Sequence, residues 1–379
     1  MSRVVSGFIF LLLLAGGCQT VAPSPAAVAT VNSESPVVFK FVTVGDSRGD
    51  PKQASAQDRI WLQATAVWSR MLSEIERQHP QALMFNGDMI YGYTSDMAAI
   101  DRQYAFWRGM VAGLMERGTY VLPVAGNHEV QLPLPNAQGG TVKRAQVAHE
   151  NAWRANMGDL ILNQALWQKI VGAPASAWRL DNTPAIGVDG ISTDQRQLSY
   201  SFDSGAMHFA MINTDPVGFD ESAPVTWLEG DLAAARARGA THFFVFGHKP
   251  AFTYFPQMIG TNGKDEEDGF GSKPALRDRF WDLMEAYGAI YFCGHQHIYH
   301  ASQPRLATGG KAWQIIVGTA GSPLNVKPGK SADPVDSLYA WAEVSVRRDD
   351  SISILVRGFD DAGGKTIAID RWTIAPAVR

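Results

Sequence analysis

The sequence predicts an α/β fold, on three observations. From Val37 onward, short β-rich runs alternate with amphipathic helical runs, the pattern of strands and helices packed in layers. Several strand-like runs stop at a glycine followed directly by Asp, Asn or His. The last stretch, Tyr339 to Ile374, carries three strand-like runs and no helix, which suits the completion of a sheet edge better than a separate domain.

In chain order, VVFKFVTV (37–44) reads as a strand. Gln57 to Gln78 reads as a helix, with Ile60, Trp61, Ala64, Trp68, Met71, Leu72 and Ile75 recurring at helical spacing. A strand at 82–85, a helix from Ala99 to Arg117 and a strand at 119–125 follow. Residues 130–196 form an insertion, with Gly139-Gly140, a helix around Val142–Met157 and a Pro-rich tail. Two placements stay open for it, at the mouth of an active site or far from it. LSYSF, MHFAMINT, THFFVFG, AIYFCG and KAWQIIVGT are strand-like, with helices at Trp227–Arg238 and Pro274–Tyr287.

The chain has 379 residues, 46% hydrophobic and 18% charged, enough to bury a sizeable core. A formal net charge of −4 speaks against general nucleic-acid binding, which requires a basic face. Arg3, the apolar run Phe8–Ala15 and Gly16-Gly17-Cys18 resemble a bacterial lipoprotein signal. That resemblance implies a leader over 1–17, lipidation of Cys18, a flexible tether over 18–36 and a mature domain over 37–379. It also implies export across the inner membrane to the cell envelope, anchored at the outer membrane or in the periplasm. With Cys18 lipidated, Cys293 has no disulfide partner and reads as a buried thiol.

The chemistry lies where strands end. The ends read Gly45-Asp46, Gly87-Asp88, Gly126-Asn127-His128, Gly247-His248 and Gly294-His295-Gln296-His297. In open α/β sheets, ligands bind just outside the carboxyl ends of strands. Glycine permits the tight turn off a strand and a close backbone approach. Carboxylate, imidazole and amide oxygen together suit Fe, Mn or Zn. An Asp between two ions can bridge them, and two ions roughly 3.5–4 Å apart can clamp a phosphoryl group.

GD (45–46), GDMIY (87–91), GNHE (126–129), GHKP (247–250) and GHQH (294–297) occur in the order found in calcineurin-like metallophosphoesterases, and the resemblance spans about Val37 to Gly321. It implies a four-layer α/β/β/α sandwich with two central mixed sheets. Many relatives have a ligand His two residues after the first Asp, where this chain has Arg48. Tyr91, three residues after the second Asp, and the segments at 198–215 and 226–232 resemble the purple acid phosphatases instead. Carried over residue by residue, Asp46, Asp88, Tyr91 and His297 would hold one ion, ferric iron in the purple enzymes. Asp88, Asn127, His248 and His295 would hold a divalent ion (Fe, Zn or Mn), with Asp88 bridging. His128 would orient substrate or protonate the leaving group, and Arg48 would contact a phosphate oxygen or pair with a structural carboxylate.

The expected activity is hydrolysis of phosphate monoesters of small molecules by attack of a metal-bound hydroxide. The alternatives are a phosphodiesterase or nucleotide hydrolase on the same site, and a surface-anchored binding protein with a decayed site. His79, His149, His208, His242 and His300 fall outside the motifs and read as satisfied structural residues. Asp265-Glu266-Glu267-Asp268 reads as solvated surface, or as an acidic edge facing the mouth. Trp153, Trp167 and Trp178 read as core.

Overall fold

The computed structural model describes residues 35–52, 56–137, 139–255, 257–259, 265–326, 330, 333–360 and 363–376. The leader, Cys18 and nearly all of the tether lie outside them. Strands β1 (Val37–Val44), β2 (Ala82–Phe85) and β3 (Tyr120–Pro123) are joined by helices α1 (Ala56–Trp61), α2 (Thr65–Glu76) and α3 (Met97–Glu116). After β3 come α4 (Asn127–Val130), the hairpin β4 (Gln131–Pro135) and β5 (Thr141–Ala145), α5 (Val147–Met157), α6 (Gln164–Val171) and β6 (Ala175–Ser176). The second half runs β7 (Tyr200–Ser204), β8 (Met207–Met211), α7 (Val225–Ala237), β9 (His242–Phe246), β10 (Gln257–Ile259), β11 (Asp265–Glu267), α8 (Pro274–Tyr287), β12 (Ile290–Cys293), β13 (Tyr299–Ser302) and β14 (Trp313–Val317). It closes with β15 (Tyr339–Arg347), β16 (Ile352–Phe359) and β17 (Ile367–Ile374).

These strands build two large mixed sheets. One has the order β17-β16-β15-β1-β2-β3, the other β13-β14-β12-β9-β8-β7-β6. The final three strands do complete an edge, through antiparallel pairing of β15 with β1.

Residue alternation along the strands sets the layers. In β9, Phe244 and Phe246 join the cluster between the sheets, while Phe243 and Val245 join the cluster under α7 and α8. In β12, Ile290 and Phe292 point one way, Tyr291 and Cys293 the other. Strands covered on both faces must be apolar throughout, which is why these runs show no polar alternation. Phe41 of β1 is the hub between the sheets. Its ring centroid lies 5.2 Å from that of Phe244, 5.9 Å from Phe246, 5.8 Å from Phe292 and 6.2 Å from Phe209. On the outer face of the first sheet, Phe85 packs edge-on against Trp68 of α2 and Trp107 of α3. The expected α/β/β/α sandwich is therefore present.

Two expected helices differ. The helix over 57–78 is interrupted, because Arg48 bridges to Gln63 and the Leu62 carbonyl accepts from Gly49 N at 2.9 Å. Backbone groups spent on that loop cannot continue a helix. The interruption turns Ile60 and Trp61 outward, at 71% and 45% exposure, rather than into the core. The helix expected from Val142 begins only at Val147, since residues 141–145 pair with 131–135 as a hairpin around Asn136 and Gly140. The structural reading of the other histidines agrees for His208, held between Asp203 at 2.7 Å and Asp231 at 2.9 Å. Trp153 and Trp167 are fully buried, and Cys293 is a buried free thiol.

Replacing Phe41 by Ala removes the ring that meets four aromatic rings on three strands of the opposite sheet. The expected loss is about 3–5 kcal/mol of stability, read as a lower urea midpoint at unchanged m-value.

Candidate metal centre

The parallel strands end level with one another. Val44 pairs with Phe85, Phe85 with Pro123, and Phe246 with Phe292. The loops that follow therefore meet at one rim. Backbone hydrogen bonds join the two sheets there, Gly45 N to Val317 O (2.8 Å), Ala320 N to Gly45 O (2.9 Å) and Ser322 N to Asp46 O (2.8 Å), while Asp46 N to Gly87 O (2.9 Å) and Gly247 N to Phe292 O (3.1 Å) tie neighbouring strand ends within each sheet.

Closeness explains the glycines. A β-carbon at Gly126 would collide with Asp88 Oδ1, and one at Gly294 with Asp46 Oδ2. Asp46, Asp88 and His295 also take left-handed backbone angles, with φ of 66°, 55° and 68°. Such conformations cost roughly 1–3 kcal/mol each and gather at functional sites.

Seven of the residues singled out in the sequence come together here: Asp46, Asp88, Asn127, His128, His248, His295 and His297. Ligand atoms of Asp46, Asp88 and His248 all lie within 4.8 Å of one another. His248 Nε2 is 3.1 Å from Asp88 Oδ1 and 3.0 Å from Asn127 Oδ1. His295 Nδ1 is 2.9 Å from Asn127 Oδ1 and 3.2 Å from His248 Nε2. His297 Nε2 is 3.5 Å from Asp46 Oδ1.

The outer contacts assign the ring hydrogens. His248 Nδ1 donates to Asn86 O (2.7 Å), His297 Nδ1 to Pro323 O (2.7 Å) and His295 Nε2 to Asp268 Oδ1 (2.9 Å). Those partners can only accept, so in the neutral rings, the form that binds a cation, the inward nitrogens carry the lone pairs. Asn127 Nδ2 donates to the Tyr93 hydroxyl, which turns its Oδ1 inward. Lone pairs thus face one another across about 3 Å, the spacing of neighbouring ligands on one ion with bonds near 2.1 Å. Asp46 Oδ1 is buried and accepts no hydrogen bond among the described residues. The residues fit bound cations.

Electrostatics point the same way. Burial opposes ionisation of Asp88, but the charge and hydrogen bond of His248 and the charge of Arg48 outweigh it and hold the carboxyl well below its usual range. Burial likewise opposes a charge on His248, but the fields of Asp88 and Asp46 with the Asp88 hydrogen bond push its pKa up to about 10. The centre demands positive charge, which a proton supplies when no cation does.

Neighbouring residues complete the frame. The Glu129 carboxylate accepts from the backbone N–H of Asp88 (2.8 Å), Met89 (2.9 Å), Ile90 (3.1 Å) and Gly126 (2.7 Å), stitching the second motif to the third. Arg48 Nε donates to Asp88 Oδ2 at 3.3 Å, and Nη2 lies 3.4 Å from His297 Nε2. Tyr91 packs against the rings of Tyr93 and His128, 6.1 and 5.7 Å between centroids. Its hydroxyl makes no hydrogen bond among the described residues. The His128 pKa is driven well below its ordinary value by burial and Arg48, so its ring is neutral.

The insertion reaches this site. Lys143 of β5 sets its ammonium 4.5 Å above the Tyr93 ring, and that ring stacks 3.9 Å from His128. Glu129, Tyr93, Lys143 and Asp268 were not assigned roles from sequence. Of these, Glu129 is the last residue of GNHE and Tyr93 lies two residues beyond GDMIY, while Lys143 and Asp268 are remote from any motif in the chain.

Residues 50–299 match the family described as calcineurin-like phosphoesterase. That span contains Asp88, Asn127, His248 and both histidines of GHQH, while Asp46 lies just before it. Among solved structures, a purple acid phosphatase isolated from yellow lupin (Lupinus luteus) seeds is similar with a TM-score of 0.54 and 16% identity, over 90% of this chain and 54% of that one. The chain thus spans about half of that structure, and the likeness is one of fold. A dimetal phosphatase from Danio rerio gives a TM-score of 0.45 and 12% identity, over 90% of this chain and 100% of that one. No curated protein matches. With the family match covering well over half of its length, the chain belongs to the calcineurin-like phosphoesterases.

Proposed function

We propose that the protein is a dinuclear-metal phosphoesterase acting on phosphate monoesters of small molecules, in the manner of a purple acid phosphatase. The observation that carries this reading is the Asp88 carboxylate. Its Oδ1 faces His248 Nε2 at 3.1 Å, and its Oδ2 faces Arg48 Nε at 3.3 Å and His128 Nε2 at 3.7 Å. Ligand atoms of Asp46 and His248, one from each proposed site, lie within 4.8 Å of an Asp88 oxygen, which suits a bridging ligand, while Oδ2 meets the non-ligands Arg48 and His128.

Asp46, His297 and Tyr91 would complete one site, for ferric iron. Asn127, His248 and His295 would complete the other, for divalent Fe, Zn or Mn. Two such ions supply an activated water and offset charge on the phosphoryl oxygens. The chain's own residues do the remaining work. Arg48 holds a fixed positive charge beside Asp88, and Lys143 brings a second cation over the mouth. His128, neutral and anchored through Nδ1 to Tyr91 O, turns an Nε2 lone pair to the Asp88 side, where it can accept a hydrogen bond and orient the substrate.

Asp88→Ala and His295→Ala are each expected to lower kcat/KM on an aryl phosphate by at least about 10³-fold, about 4 kcal/mol of barrier, with the far-UV circular dichroism unchanged. Retained turnover would refute the reading. Faster hydrolysis of an aryl diester than of the monoester would instead make the protein a phosphodiesterase, and no metal after reconstitution would make it a binding protein.

A second measurement tests metal against proton. With the His248 pKa raised to about 10, cation uptake at neutral pH must displace a proton. Calorimetric titration of apo-protein in buffers of different ionisation enthalpy should show that release, and affinity should weaken as pH falls. Metal uptake with no proton exchange between pH 6 and 8 would contradict it.

Ferric loading should give a visible tyrosinate charge-transfer band that Tyr91→Phe abolishes. A colourless, fully active di-zinc or di-manganese enzyme would remove the ferric assignment alone.

A further inference from the structure

We propose that Asp268 is the positioning residue of the second metal site, fixing the His295 ring so that Nδ1 serves as a ligand. The proposal rests on the dinuclear-metal reading above. Asp268 Oδ1 accepts from His295 Nε2 at 2.9 Å, which leaves the Nδ1 lone pair facing Asn127 Oδ1 and His248 Nε2. Its other oxygen, Oδ2, accepts from Gln296 Nε2 at 3.0 Å. Both oxygens are thus spent on consecutive residues of GHQH. Asp268 itself is 7% exposed.

The carboxylate is also held in place from outside the motif. Gly269 takes a φ of 59°, and a β-carbon there would collide with Pro250 O. Phe270 N donates to that same carbonyl at 3.0 Å, and the Phe270 ring packs edge-on against Phe280 at 5.3 Å. Asp268 is thereby pinned beside the His248 loop while it reaches to the His295 loop. The two ligands it lies between are those assigned to one ion.

His295 differs from the other two histidines in this partner. His248 and His297 donate outward to the backbone carbonyls of Asn86 and Pro323. A carboxylate partner orients an imidazole as a carbonyl does, and it also raises the basicity of the ligating nitrogen. Removing such a partner lowers metal affinity by about 10–100-fold. Asp268 is the end of the acidic run that follows from the sequence, and it does not face solvent as most such runs do.

The test compares the full chain with Asp268→Asn, which keeps the shape and loses the charge, and Asp268→Ala. Apo-proteins are titrated with Zn(II) by calorimetry, bound ions are counted after dialysis, and apo-protein stability is measured in urea. The expected result is two ions in the wild type and one retained ion in each variant. The weaker ion should lose about 10–100-fold in affinity in Asp268→Asn, with its apo urea midpoint near wild type and turnover restored by excess metal. Wild-type affinity for both ions in both variants would overturn the proposal. So would a fall in urea midpoint with per-ion affinities unchanged, which marks a structural role only. A wild type that binds fewer than two ions overturns the dinuclear reading itself and this proposal with it.

Discussion

The fold has to hold two buried carboxylates and three imidazoles against one another at the rim of two sheets, and most of the local structure answers to that demand. Asp46 and Asp88 are both essentially inaccessible to solvent. Two unit charges 4 Å apart interact by about 4 kcal/mol at an effective dielectric of 20, so an acidic cluster without compensation opposes folding. Compensation is built in on every side. His295 N donates to Asp46 Oδ2 at 3.0 Å, His128 N donates to Asp88 Oδ1 at 3.1 Å, Arg48 lies against Asp88, and the raised pKa of His248 expresses the same need as a proton. The left-handed ligand residues and the glycines before them are the backbone cost of bringing these groups so close.

That closeness is tolerable only because the scaffold beneath it is rigid. Ligand geometry must hold within roughly 0.5 Å, and sites carried on strand ends keep it better than sites on free loops. Here the strand ends are level because parallel pairing fixes the register of β1, β2 and β3 and of β9 and β12. The two sheets are locked to each other through Phe41 and its aromatic partners. The core therefore acts on the site by fixing the relative height of two rims.

The sequence made the residues of this cluster legible because each is local, a glycine and a polar residue at the end of an apolar run. Sequence could not show where a distant segment takes over the backbone. The helix over 57–78 is periodic enough to read as one, yet Gln63 pairs with Arg48 and breaks it, exposing Ile60 and Trp61. Val142 to Ala145 fit a helix as well as a strand until Gln131–Pro135 offers a partner. Lys143 and Asp268 reach the site from hairpin-bearing segments whose own composition reads as surface. Their roles depend on contacts to Tyr93 and to His295 that no spacing along the chain encodes.

The two sides of the cluster are unequal, and Arg48 stands on the looser one, beside His297. The side around His248 is assembled: the inward nitrogens of His248 and His295 and Asn127 Oδ1 lie 2.9–3.2 Å apart, and both rings have a partner outside. The side around Asp46 is looser, with His297 Nε2 at 3.5 Å and Asp46 Oδ1 without a hydrogen bond among the described residues. An imidazole at position 48 would add a neutral ligand there. A guanidinium adds a permanent positive charge and no lone pair. Its position is not accidental to the fold. Gln63 and Trp107 bond to Ser47, Ser322 Oγ donates to Arg48 O at 3.1 Å, and Arg48 N donates to Asp88 O at 3.2 Å. The interrupted helix is what frees Gln63 for this role. An irregularity that costs helical hydrogen bonds is thus tied, through Ser47 and Arg48, to the charge that most sets this centre apart.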